Sequence, residues 1–119
     1  MKYLMLIKHP ETFRHEEVPK GLLDAMGEFV TANLKTGALL DTAGLKPTSD
    51  GFRVRLDARK LSVTDGPFTE TKEIVGGYAL AEAKSRQEAL DLAHRFMDLH
   101  RIHWPTFVGE CEVRPLEDM

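Results

Sequence analysis

The chain has one cysteine, Cys111, in 119 residues, so no internal disulfide can brace it and packing alone must hold it together. A single thiol suits a reducing compartment, and the expected location is the cytoplasm. Its place among alternating residues near the C-terminus marks Cys111 as a small buried apolar group, not a nucleophile. Basic residues are not in surplus: 16 Lys and Arg stand against 19 Asp and Glu, a net charge of −3. That leaves nothing spare to neutralise a run of phosphates, and a nucleic-acid partner is not expected. No segment approaches the length of a membrane span. The apolar stretch in Met1-Lys2-Tyr3-Leu4-Met5-Leu6-Ile7-Lys8 is shorter than a signal-peptide core, and no small-residue cleavage pattern follows it. Also missing are a glycine-rich phosphate loop, a nucleophile elbow, a zinc ligand quartet and a Cys–His pairing, so no cofactor is expected. There is no internal repeat and no low-complexity segment.

What is present is ordinary in amount: 42% hydrophobic and 29% charged residues, which fits one globular domain spanning 1–119. The opening apolar run reads as a first strand buried on both faces. A polar loop from His9 to Pro19 follows. Leu22, Met26, Phe29, Val30 and Leu34 recur at three-to-four-residue spacing, which predicts a helix over Lys20–Thr36 with Gly37 as its C-cap. Ala38-Leu39-Leu40 starts a second strand, and Gly44 to Asp50 is rich in turn residues. Phe52-Arg53-Val54-Arg55-Leu56 alternates strictly, with Phe52, Val54 and Leu56 expected to face inward. Leu61 to Thr64 alternates again, so the two form a hairpin.

Ile74 to Ala83 is the next strand, and Gly76-Gly77 inside it predicts a bulge or a close approach by another backbone or a ligand. Ser85-Arg86-Gln87-Glu88 carries the capping-box pattern. The helix it opens places Ala89, Leu92, Ala93, Phe96 and Leu99 or His100 along one side and must stop before Pro105. The last strand puts Cys111 and Val113 on one face, with Glu110, Glu112 and Arg114 on the other. With the hairpin set aside, the order is the βαββαβ of an α+β, ferredoxin-like sandwich. Two helices cover one sheet face only, so a homodimer packed through the other face is expected, with a cavity between sheet and loops.

The richest segment for chemistry is Asp65-Gly66-Pro67-Phe68-Thr69-Glu70-Thr71-Lys72-Glu73. Asp65 is first a turn residue, accepting backbone N–H bonds, and second an acid–base candidate if a cavity desolvates it. Phe68 reads first as a packing anchor for the loop and second as a ligand-binding residue, a platform on which a ligand stacks. Lys72, between Glu70 and Glu73, is a candidate clamp for a polar ligand, although neighbouring opposite charges are usually a solvated surface. His100 and His103 share a helical face by their spacing. They fall short of a metal ligand set, and cationic groups suit a helix C-terminus in any case. His103 is the candidate partner for Asp65; His100, Trp104 and Tyr78 are candidate cavity walls. For Trp104 and Tyr78 the alternative is plain packing at a core or dimer interface.

Taken together, several segments resemble the YCII-related superfamily, and within it the proteins named for a DGPF motif. They are Lys2-Tyr3-Leu4-Met5-Leu6-Ile7, Gly44-Leu45-Lys46-Pro47-Thr48, the Asp65–Glu73 run, Gly76-Gly77-Tyr78 and Glu112-Val113-Arg114-Pro115. The resemblance implies a dimeric α+β barrel. Some relatives are thought to be enzymes with a His–Asp pair whose histidine lies on the first helix. The first helix here has none, and His15 lies upstream in the loop. DGPF proteins also resemble those encoded beside alternative sigma factors, which implies a regulatory or accessory role. Three functions are therefore expected in this order. The first is a small-molecule-binding or regulatory protein, the second a cofactor-free acid–base enzyme using Asp65 and His103, and the third an interaction partner of a transcription factor.

Overall fold

β1 (Lys2–His9) lies inside a four-stranded antiparallel sheet, flanked by β5 (Ile74–Glu82) and β6 (Glu110–Pro115), with β2 (Leu39–Gly44) on the far side of β5. The spatial order β2-β5-β1-β6 is that of a ferredoxin-like α+β sandwich. The computed structural model describes residues 1–11, 18–68 and 70–118; His15 of the first loop lies outside them. α1 (Lys20–Thr36) and α2 (Arg86–His103) lie together on one face. The register explains which side chains they meet. Tyr3, Met5 and Ile7 pair with Ala81, Ala79 and Gly77 of β5 and with Pro115, Val113 and Cys111 of β6. Directly paired residues share a face, so these positions point toward the helices. Leu4, Leu6, Tyr78 and Leu80 take the other face.

Helix boundaries follow local chemistry. Gly37 closes α1 in the left-handed region at φ 84°, where a side chain would be strained. Ser85 caps α2 by accepting the Glu88 N–H at 3.1 Å, satisfying one of the helix's orphan donors. Leu34 proves exposed, while Asn33 is buried in its stead. The Asn33 amide donates to the Phe29 carbonyl at 2.7 Å, and that satisfied donor lets a polar residue occupy an inward position.

The hairpin of β3 (Phe52–Asp57) and β4 (Lys60–Asp65) departs most from expectation. It forms a separate two-stranded sheet, and Phe52, Val54, Leu56, Leu61 and Val63 share its apolar face at 61–72% exposure. The three β3 residues thus face solvent in the protomer, not the core. Alternation sorts side chains to one face, but what covers that face is a tertiary matter. The hairpin projects, and the radius of gyration of 15.9 Å exceeds the roughly 13.5 Å of a compact chain this long.

The base of this arm is locked to the body by the Asp65–Glu73 segment. Gly66 donates its N–H to the Gly51 carbonyl at 2.9 Å, and its bond to Pro67 is cis. The Thr48 hydroxyl donates to the Glu11 carboxylate at 2.6 Å and accepts the Phe68 N–H at 3.4 Å. Arg53 lies over the Phe68 ring, 3.8 Å from its centroid, while bonding Glu70 and the Thr71 hydroxyl. A Cβ added at Gly66 would overlap the Thr48 carbonyl oxygen, so only glycine fits. Gly66→Ala should therefore destabilise the protein by about 1–3 kcal/mol. Gly27→Ala, on α1 with nothing within 4 Å of the added carbon, should stabilise it by about 0.5–1 kcal/mol. Urea denaturation of both variants checks the pair; a harmless Gly66→Ala would refute the interlock.

Candidate functional site

The side chains between the helix and sheet layers change in kind along the interface. At one end small side chains meet: Ala81 and Ala83 on the sheet side pack with Ala89, Ala93 and Leu92 of α2. At the other end the sheet has a strip without side chains, because Gly44 and Gly77 are cross-strand partners and Gly76 sits at the β5 bulge opposite Ile7 and Lys8; Ile7, His9 and Cys111 border this strip. The helices there carry large rings. Between the two surfaces lies a cavity of about 450 Å³, floored by Gly44, Gly76 and Gly77. That volume falls in the range of small-molecule pockets.

A chain of rings walls it. Phe29 and Phe96 lie 5.6 Å apart between centroids, Phe96 and His100 5.0 Å, His100 and Phe107 4.9 Å, and Phe107 and Trp104 5.2 Å. These are favourable tilted or edge-on separations. His9 completes the set, 6.1 Å from Phe107. Two imidazoles thus line an otherwise apolar space, and both are more than nine-tenths buried.

Their environments assign their protons. His100 Nδ1 lies 3.2 Å from the Phe96 carbonyl, and His9 Nδ1 lies 2.8 Å from the Pro10 carbonyl. A carbonyl only accepts, so each Nδ1 carries the hydrogen and each Nε2 presents a lone pair when the ring is neutral. The His9 ring lies directly over Gly76, where a Cβ would overlap its Nε2. The glycine pair in β5 thus serves both a bulge and a close approach. Burial holds His100 below its ordinary pKa, helped by the neighbouring His9. Cys111 also borders the cavity, and burial pushes its thiol up to about 11, so it remains protonated at neutral pH.

The structure brings together some of the residues that the sequence nominated. His100 and Trp104 both border the cavity. Tyr78 borders it too, but its hydroxyl turns to the open sheet face and donates to Asp41 at 2.9 Å. Phe68 and Lys72 lie elsewhere, on the segment at the base of the hairpin. Asp65 is exposed at the end of β4, paired with Phe52, and its carboxylate makes no hydrogen bond among the described residues. The His103 ring packs against Gly21, 3.2 Å from where that residue's Cβ would be. No hydrogen bond, ion pair or ring contact joins Asp65 to His103 among the described residues. No group of three or more metal-ligating side chains occurs there either. Sequence reasoning missed His9, Phe107 and the glycine floor as parts of one site. The available signal was Gly76-Gly77.

The class is thus an α+β fold of ferredoxin-like topology with a ligand-sized aromatic cavity between its helices and its sheet. Residues 1–96 match the YCII-related domain, and the chain belongs to that family. It is also 39% identical over 101 residues to an uncharacterized protein of Rhizobium meliloti (strain 1021), covering 85% of this chain and 74% of that relative.

The buried imidazole makes stability depend on pH. Above the ordinary value of 6.5 His100 is neutral whether folded or unfolded. As the pH falls through 6.5, the unfolded chain takes up a proton that the fold resists, so stability declines. Replacing His100 by Gln should flatten this part of the stability curve, measured by urea denaturation between about pH 7 and 5. An unchanged slope would show that His100 is not its source.

Proposed function

We propose that this protein binds a small molecule in the glycine-floored cavity and works as a homodimer in the cytoplasm. The observation that carries the reading is the pairing of apolar volume with two buried imidazoles. Ligand sites are typically apolar pockets with a few placed polar groups, and a space that served packing alone would be filled. No described helix is long and apolar enough to cross a membrane. A regulatory role, in which occupancy and not turnover is the output, fits a cavity whose thiol, Cys111, is held protonated by burial. Cofactor-free acid–base chemistry is the second reading. It draws on His9 and His100, which share the cavity, in place of Asp65 and His103, which do not meet.

The dimer is argued from uncovered surface. Both helices lie on one side of the sheet, leaving Leu4, Leu6 and Leu80 on the open side, and the hairpin presents five exposed apolar side chains. A lone two-stranded hairpin is marginal in water, and a second copy offers matching apolar faces to both surfaces through a two-fold contact.

Trp104 is the sole tryptophan and borders the cavity, so it reports occupancy directly. Toluene, a neutral one-ring probe, should change its fluorescence saturably and raise the melting temperature. No saturable change up to the solubility of toluene would count against the cavity as a ligand site. Sedimentation should give about twice the 13.4 kDa chain mass, falling to one chain when Val54 and Val63 are both changed to Lys.

A further inference from the structure

The polar groups on the cavity wall restrict what it can hold. Resting on the reading of this space as a ligand site, we propose that the ligand is a neutral planar molecule with one acidic hydroxyl, a phenol or an enol, whose O–H donates to Nε2 of His100.

Three observations carry this. First, the Nδ1 hydrogen of His100 is committed to the Phe96 carbonyl at 3.2 Å. Its Nε2, on a side chain 7% exposed, has no hydrogen-bond partner among the described residues. An acceptor held in an apolar space calls for a donor from the ligand. Second, no Lys, Arg, Asp or Glu side chain borders the cavity among the described residues. Among the described residues a carboxylate, phosphate or ammonium would meet no Lys, Arg, Asp or Glu as counter-charge, and its entry would carry a high desolvation cost. The Thr42 hydroxyl at the rim is already engaged, donating to the Tyr78 carbonyl at 2.8 Å. Third, the rings of Phe29, Phe96, Phe107 and Trp104 follow one another at centroid spacings of 4.9–5.6 Å, with His100 among them. Such a wall favours a flat, polarisable ligand in tilted or offset contact.

The test compares toluene, 4-methylphenol and 4-methylbenzoate, read by Trp104 fluorescence, in the full chain and in His100→Phe. The variant should bind 4-methylphenol about tenfold more weakly than the wild type, as expected when a buried hydroxyl loses its acceptor. Toluene affinity should stay within about twofold. The wild type should bind 4-methylbenzoate more weakly than 4-methylphenol. Equal losses for toluene and 4-methylphenol, no loss for either, or tighter binding of 4-methylbenzoate would each overturn the proposal while leaving the cavity as a ligand site. If neither toluene nor 4-methylphenol binds the wild type, the ligand-site reading fails as well. Should His100→Phe not fold, the ¹⁵N resonance of His100 Nε2 in the wild type decides. It should move on adding 4-methylphenol and not on adding toluene; an unmoved resonance overturns the proposal.

Discussion

The spacing between the helix layer and the sheet governs the rest of this molecule. Where alanines meet, as Ala81 and Ala83 do with Ala89 and Ala93, α2 approaches the sheet closely and the core closes. Where the sheet carries Gly44, Gly76 and Gly77, the facing helices bring Phe29, Phe96 and His100, and the glycines raise no side chain of their own to meet them. Interiors normally pack to crystal-like density, so a space of about 450 Å³ has to be held open by its walls. The tilted ring chain from Phe29 to Trp104 does that. It fixes the mouth of the wedge while the alanine end fixes its apex.

A second consequence is the division of labour between interior and exterior. The segment that looked richest in chemistry, from Asp65 to Glu73, makes a joint. Gly66 presses on the Thr48 carbonyl, the Thr48 hydroxyl links Glu11 to the Phe68 amide, and Arg53 holds the Phe68 ring. The joint aims a hairpin whose apolar face stays wet in the protomer. Charged residues crowd the joint, and the two buried imidazoles lie in the cavity. Polar density along the chain therefore pointed away from the enclosed site.

What could be read from the sequence tracks how local each cause is. The extent of α1, the Gly37 cap and the Ser85 cap depend on residues a few positions apart, and all match the structure. So does the strand content, including the hairpin and the faces of β6. Gly76-Gly77 announced a close approach by a backbone or a ligand, whereas the group over Gly76 is the His9 side chain, which reaches it only through the pairing of β1 with β5. The hairpin turn at Ala58 and Arg59 has both residues at positive φ, yet carries none of the Asn-Gly chemistry that usually marks such turns. Leu34, expected inward, is exposed, and Asn33 is buried because a side-chain amide satisfied by its own helix can be. The cavity depends on which side chains are missing from several strands at once. No periodicity in a single segment encodes that.

The most direct measurement of the central claim fills the cavity from its floor. Nothing lies within 4 Å of a Cβ added at Gly44, so Gly44→Leu inserts volume without disturbing a backbone contact. The account predicts a folded variant with an unchanged circular dichroism spectrum that no longer binds toluene or 4-methylphenol, with Trp104 fluorescence indifferent to both. Binding retained at wild-type strength in a folded Gly44→Leu protein would contradict the claim that the space above the glycine floor is the site.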